Sequence, residues 1–216
     1  MNEPRSLGSK SGAETRVGVV LLAAGGSSRL GHPKQLVVHE GKTLIRRAAE
    51  AALSLGEGPV LVVLGAHRDT IVSELVDLPL RVIEHPEWAL GPGGSLTTGL
   101  SAMLSVAPSD APDVGAVLFM LCDQVRVTSA HLRALVDTWR TTGASIVASG
   151  YDGTHGVPAL FSRAVFPELE ALTAAQGARG VIAREPTRVA TVPLPGGGED
   201  VDTPLDLARL NPRRPA

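Results

Sequence analysis

The chain has 216 residues, with 20 basic and 22 acidic side chains and a net charge of -2. That length suits one domain with a full core, and a lone cysteine, Cys122, excludes both an internal disulfide framework and a cysteine-based zinc cluster. Balanced charge and an aromatic content of 3% exclude nucleic acid as the expected partner, because they supply neither a basic footprint nor a stacking surface.

No run approaches the ~20 apolar residues of a membrane span, so no membrane partner is expected. The polar start of the chain has no apolar core of the signal-peptide kind, and a cytoplasmic protein is the expectation. Residues 1–15 read as a flexible tail and 211–216 as a second, leaving a single domain over 16–210. The 24 glycines and 16 prolines are spread between apolar segments, which reads as many short loops.

In chain order, residues 16–23 (RVGVVLLA) are a continuous apolar run of buried-strand type. Residues 43–55 place Leu44, Ile45, Ala48, Ala49, Ala52 and Leu53 on one helical face, with Thr43 as cap and Gly56 as stop. A strand is expected at 59–64, a helix at 67–76, a strand at 80–84 and a helix at 94–106. The run 114–121 (VGAVLFML) is a fourth buried strand, followed by a helix over 128–140 that ends before Gly143. Strands at 144–149 and, briefly, 157–161 precede helices at 164–172 and 178–184. A strand at 188–193 and a short helix at 203–210 close the pattern. Apolar strands alternating with amphipathic helices predict an α/β fold with a mostly parallel sheet and helices on both faces. Ligands of such sheets gather beyond the carboxyl ends of the strands.

The first such end reads LAAGGSSRLGHPKQL over residues 22–36. It fits neither the Walker pattern, since His32 and Pro33 separate Gly31 from Lys34, nor G-x-G-x-x-G, since Gly25 and Gly26 are adjacent. Gly25, Gly26, Ser27 and Ser28 nevertheless lack bulk and let backbone N–H groups approach phosphate oxygens. Arg29 offers a guanidinium fork and Lys34 a mobile point charge. On spacing alone, a loop with solvated charges explains the segment equally well.

This segment strongly resembles the signature L-A-A-G-x-S-x-R-M-G-x-x-K-Q-L of the molybdenum cofactor nucleotidyltransferases, the cytidylyltransferase branch in particular, with Leu30 at the usual Met. The resemblance implies a three-layer, Rossmann-like nucleotidyltransferase fold. It implies that Leu22, Ala23, Ala24 and Gly25 lie against base and ribose, that Gly26, Ser27 and Ser28 complete the nucleotide loop, and that Arg29 and Lys34 hold phosphates. Ala24, where the guanylyl branch has Gly, points to CTP.

Asp123 ends the fourth strand in Met120-Leu121-Cys122-Asp123-Gln124. An acid there suits Mg²⁺, a hard ion held by one or two carboxylates plus phosphates and waters. A helix-cap role is the competing reading, but Thr128 is the nearer cap. The family has a similar D-Q-P, with Val125 here at the proline. Asp200-Val201-Asp202-Thr203-Pro204-Leu205-Asp206 resembles the family's D-I-D-T-P-E-D. Asp200 and Asp202 share a face if extended, and either Thr203 or Asp202 can cap the helix starting at Pro204. The wider fold favours Asp200 as second metal ligand, with Asp202 as the fallback.

Residues 88–100 (WALGPGGSLTTGL) resemble W-x-x-G-M-x-x-S-L-x-x-G-L, which implies that Gly94 and Ser95 contact the nucleotide. The glycines at 91, 93 and 94 are expected to let backbone pass close to a ligand. Residues 156–161 and 176–179 resemble G-x-P-V-L-F and the end of G-D-x-G-A-R, which assigns Gln124, Pro158 and Arg179 to the acceptor substrate. Arg179 as a surface charge is an equal alternative. Trp88 and Trp139 read as packing, and Cys122 as a small buried hydrophobe whose thiol pKa rises beside a carboxylate.

The implied reaction transfers CMP from CTP to the terminal phosphate of a molybdopterin-type cofactor and releases pyrophosphate, with Arg29, Lys34 and Asp123 carrying the chemistry. A molybdenum hydroxylase is the implied downstream partner. Three alternatives stand beside it: GTP as donor, a sugar phosphate as acceptor, or a non-catalytic nucleotide-binding accessory protein for a molybdenum enzyme. Lys34→Ala is expected to leave folding intact and to lower turnover by ~10²–10³.

Overall fold

The first apolar run forms β1 (Arg16–Leu22), the centre of the sheet in a computed structural model that describes residues 15–105 and 114–210. Both expected tails and Val106, the end of one expected helix, lie outside the described residues, except Thr15. After β1 come β2 (Val38–His39) and β3 (Lys42–Thr43), a small hairpin that the apolar pattern did not reveal. Its two turn residues, Glu40 and Gly41, both have positive φ, as a tight type I′ connection requires.

α1 (Leu44–Leu53) follows, and the Thr43 side chain accepts the Arg46 N–H as expected of its cap. Then come β4 (Val60–Leu64), α2 (Arg68–Ile71), β5 (Arg81–Glu84), α3 (Pro92–Ser105) and β6 (Val114–Leu121). α4 (Ser129–Thr142) is capped by Thr128 and stopped by Gly143 at φ 65°. β7 (Ile146–Tyr151), β8 (Thr154–Ser162), α5 (Phe166–Glu170), α6 (Ala178–Arg184), β9 (Val189–Pro193) and α7 (Pro204–Leu210) complete the chain. The helix expected over 67–76 tightens after Ile71 into a 3₁₀ turn, Val72–Leu75. The one expected over 164–172 begins as a 3₁₀ turn, Arg163–Val165.

Seven strands form one sheet in the order β5-β4-β1-β6-β8-β7-β9. Every pairing is parallel except those of β8, which runs antiparallel to both β6 and β7. The expected strand at 157–161 is thus the middle of a nine-residue strand inserted by a hairpin with β7. Alternate residues of the central strands face opposite layers. Val19, Leu21, Val62 and Leu118 pack with Ile45 of α1 and Leu132 and Leu135 of α4. Val20, Val63 and Phe119 pack with Leu96 and Leu100 of α3 and Val181 of α6. These two apolar layers are the core of a three-layer α/β fold. They hold the carboxyl ends of β1 and β6 side by side, since Leu22 pairs with Leu121.

Candidate active site

Beyond Leu22 the chain leaves the sheet but stays tied to it. Ala23 N–H bonds the Val63 carbonyl at 3.0 Å, and Ala66 N–H bonds the Ala24 carbonyl at 3.0 Å. The turn that follows is held by Gln35, whose side chain is wholly buried. Its amide nitrogen donates to the Ala23 carbonyl at 2.8 Å and the Gly25 carbonyl at 2.9 Å. Lys34 N–H donates to Ser27 Oγ at 3.0 Å. Lys34 is therefore anchored beside the glycine loop by its own backbone and its neighbour. A Cβ on Gly25 would meet nothing within 4 Å, so this glycine opens onto free space and is not demanded by internal packing.

The Lys34 ammonium donates to Asp123 Oδ2 and, at 2.8 Å, to Asp202 Oδ1. Arg29 Nη2 donates to Asp202 Oδ2 at 2.6 Å. Burial alone would depress the lysine pKa, but the Asp123 and Asp202 carboxylates hold it well above the ordinary value. Burial works to raise Asp202, yet Lys34 and Arg29 hold it below the usual carboxylate range. Asp200 goes the other way: burial, then the nearby Asp123 charge, push it up to about 6.

The segment carrying these acids runs beside the end of β6. Gln124 and Asp200 form an antiparallel bridge, and Val201 N–H reaches the Asp123 carbonyl at 3.4 Å. Asp123 Oδ1 and Asp200 Oδ1 are both buried with no hydrogen-bond partner in the structure. Two orphaned carboxylate oxygens from mutually repelling acids are the donor set a hard divalent cation would satisfy. Both Asp202 oxygens are instead occupied by Lys34 and Arg29, which favours Asp200 over its fallback as the second ligand. Thr203 and Asp206 cap α7 reciprocally, with Thr203 N–H to Asp206 Oδ2 at 2.9 Å and Asp206 N–H to Thr203 Oγ1 at 3.3 Å. Capping thus claims neither Asp200 nor Asp202.

A cleft of about 370 Å³ opens over these strand ends. Lys34, Asp123, Trp88, Ala89, Pro92 and the buried Ser95 are among the residues that line it. The lining combines charged groups with apolar ones, a mixture suited to a ligand of the same kind.

Residues 19–189 match the MobA-like NTP transferase domain. The chain belongs to that family. A nucleotidyltransferase of this type is therefore the activity class. The chain is 30% identical to a protein of Paenarthrobacter nicotinovorans named nicotine blue oxidoreductase, over 88% of this chain and 94% of that protein. It is 28% identical to the purine catabolism protein PucB of Bacillus subtilis, again over 88% and 94%. The crystal structure of Rv0371c from Mycobacterium tuberculosis superposes with a TM-score of 0.75 at 29% identity, covering 91% of this chain and 97% of that one. A second structure of Rv0371c, at 27% identity and TM-score 0.71 over 91% and 98%, is a complex with manganese.

Leu22 to Gly26, Lys34, Ser95 and Asp123 line one cleft. Ser27 braces that loop from below, Ser28 is exposed beyond it, and Arg29 reaches back to Asp202. The glycines at 91 and 93 approach the backbone at Ala174 and Thr173, and a Cβ on Gly94 would meet the His85 ring at 2.7 Å. Their small size therefore serves packing inside the protein, and Gly91 lines the cleft as well.

Gln124 is buried, and its amide nitrogen donates to the carbonyls of Val157 (2.9 Å) and Gly197 (3.1 Å), so it braces the acid-bearing loop, while its Oε1 has no hydrogen-bond partner in the structure. Pro158 is buried too, with its carbonyl taken by Ser149 Oγ at 2.6 Å. Arg179 is exposed on α6, within electrostatic reach of Asp200. Cys122 is buried, and burial followed by Asp123 raises its pKa. Trp139 and Trp88 both pack against the core as expected, and Trp88 lines the cleft as well. Gln35 escaped sequence reasoning, although its place directly after Lys34 in the motif was the available signal.

Among the described residues, no helix is long and apolar enough to cross a membrane.

Proposed function

We propose that the protein transfers CMP from CTP to the terminal phosphate of a molybdopterin-type cofactor and releases pyrophosphate. The observation that carries this reading is the meeting of Lys34, Arg29, Asp123 and Asp202, with Lys34 and Asp123 lining the cleft. Cations held by carboxylates beside a cleft can exchange those partners for the phosphates of a polyanion.

An acceptor phosphate oxygen attacks the α-phosphorus, forming one P–O bond as the bond to the bridging oxygen of pyrophosphate breaks. The attacking oxygen is already anionic, so no protein nucleophile is required, and the protein's work is alignment and charge neutralisation. Lys34 neutralises charge at the α-phosphate, and Arg29 steadies the β- and γ-phosphates and the departing pyrophosphate. Gln35 keeps the loop amides in place through its two carbonyl bonds. Gln124 holds Asp200 against Asp123 through the Gly197 carbonyl. Asp123 and Asp200 fit Mg²⁺, which when bound supplies positive charge to phosphate oxygens. Ala24 supports cytosine through the family resemblance alone.

One relative carries an oxidoreductase name. The adjacent Gly25 and Gly26 do not form a dinucleotide fingerprint, which favours nucleotidyl transfer here.

The test is pyrophosphate release and product mass with each of the four ribonucleoside triphosphates and extracted pterin cofactor. Release with CTP and a cofactor gaining CMP supports the proposal. A preference for GTP or for a sugar phosphate replaces its substrates. Nucleotide binding without pyrophosphate release replaces it with the accessory-protein reading.

A further inference from the structure

Trp88 stands in a short 3₁₀ turn, Trp88–Leu90, between β5 and α3. Its ring lies against two glycines from different strand ends. A Cβ on Gly26 would come within 2.9 Å of ring atoms Cη2 and Cζ3, and one on Gly65 within 2.5 Å of the Trp88 Cβ and 2.6 Å of Cγ. The absence of side chains at both positions lets an indole settle flush on the end of the sheet. The turn behind it is anchored where Gly93 N–H bonds the Ala174 carbonyl at 2.9 Å. The indole remains half-buried and lines the same cleft as Leu22, Lys34, Pro92, Ser95 and Asp123.

A large aromatic ring packed against two glycines in the cleft that Lys34 also lines matches a planar heteroaromatic group joined to phosphates. We propose that Trp88 is the stacking wall for the nucleobase, so that the cleft grips its substrate by ring and by charge. This deepens the nucleotidyl-transfer reading and rests on it. Every base has a π-face, so stacking supplies affinity that tolerates different bases, and the choice of base falls to polar groups such as Ser95.

The chain has only two tryptophans, and Trp139 packs against the core. A Trp139→Phe protein leaves Trp88 as the one indole reporter. It is titrated with CTP and with inorganic tripolyphosphate, which has charge but no ring, while calorimetry records binding of each. The expected result is quenching of Trp88 by CTP and little change with tripolyphosphate. Trp88→Ala should weaken CTP binding by roughly 5- to 100-fold and leave tripolyphosphate binding unchanged, and Trp88→Phe should recover most of the loss. A purely structural role would weaken both ligands together in Trp88→Ala, which overturns the proposal. CTP binding with unaltered Trp88 emission overturns the stacking wall and spares the proposed function. Failure of every nucleoside triphosphate to bind overturns both.

Discussion

Replacing Lys34 with Met tests the cluster of charges at the cleft most directly. The Asp123 side chain is only 6% exposed and that of Lys34 19% exposed. Removing one partner of a buried pair strands the other charge, at a cost of ~3–5 kcal/mol when both are fully buried. Partial exposure of Lys34 reduces this to about 3 kcal/mol, so the metal-free variant should melt roughly 6–12 °C lower. A Lys34 variant is thus expected to fold and to melt lower than the parent. Calorimetric melting in chelator at pH 7.5 reads that loss. The double variant Lys34→Met with Asp123→Asn should recover most of the lost stability at pH 7.5 and none of the turnover, which falls by ~10²–10³. A Lys34→Met protein that melts with the parent at neutral pH, or a double variant no more stable than the single, would refute the argument that these two groups neutralise each other.

Asp200→Asn should have opposite effects on stability and metal binding. The folded-state pKa of Asp200 is raised to about 6, so the folded protein holds this proton more tightly than the unfolded chain and loses stability as pH rises through that window. The asparagine variant escapes that loss and should be on the order of 1–2 kcal/mol more stable than the parent at pH 7.5 in chelator, after allowance for solvent screening. Its manganese affinity by calorimetry should collapse; tight manganese binding by this variant would remove Asp200 from the metal site. Gln124→Met should leave the Val157 and Gly197 carbonyls without their donor and cost about 1–3 kcal/mol in urea denaturation. It should also weaken manganese binding while the affinity for metal-free tripolyphosphate stays near that of the parent; equal metal affinity would deny Gln124 its bracing role.

Most of the fold was legible along the chain because its signals are local. A run such as VGAVLFML can lie comfortably only as a buried strand, and it occupies Val114–Leu121 as read. Thr43, Thr128 and Gly143 punctuate helices through bonds to residues a few positions away. The antiparallel course of β8 was not legible, because strand direction is decided by which connection closes the sheet and leaves no mark in an apolar run.

The site divides in the same way. The residue types at the strand ends, and the glycine loop with its following lysine, were written in consecutive positions. Which groups meet was settled only by the closed structure. Lys34 reaches Asp123 across 89 positions and Asp202 across 168. Asp202 was readable as a metal ligand or a cap; in the closed structure Thr203 and Asp206 make the cap, and Lys34 and Arg29 meet the Asp202 oxygens. Gln124 turned inward to brace a loop, and Trp88 reached the cleft because Gly26 and Gly65 leave room for its ring. Periodicity and caps depend on neighbours in the chain, whereas charge pairing and cleft walls depend on neighbours in space.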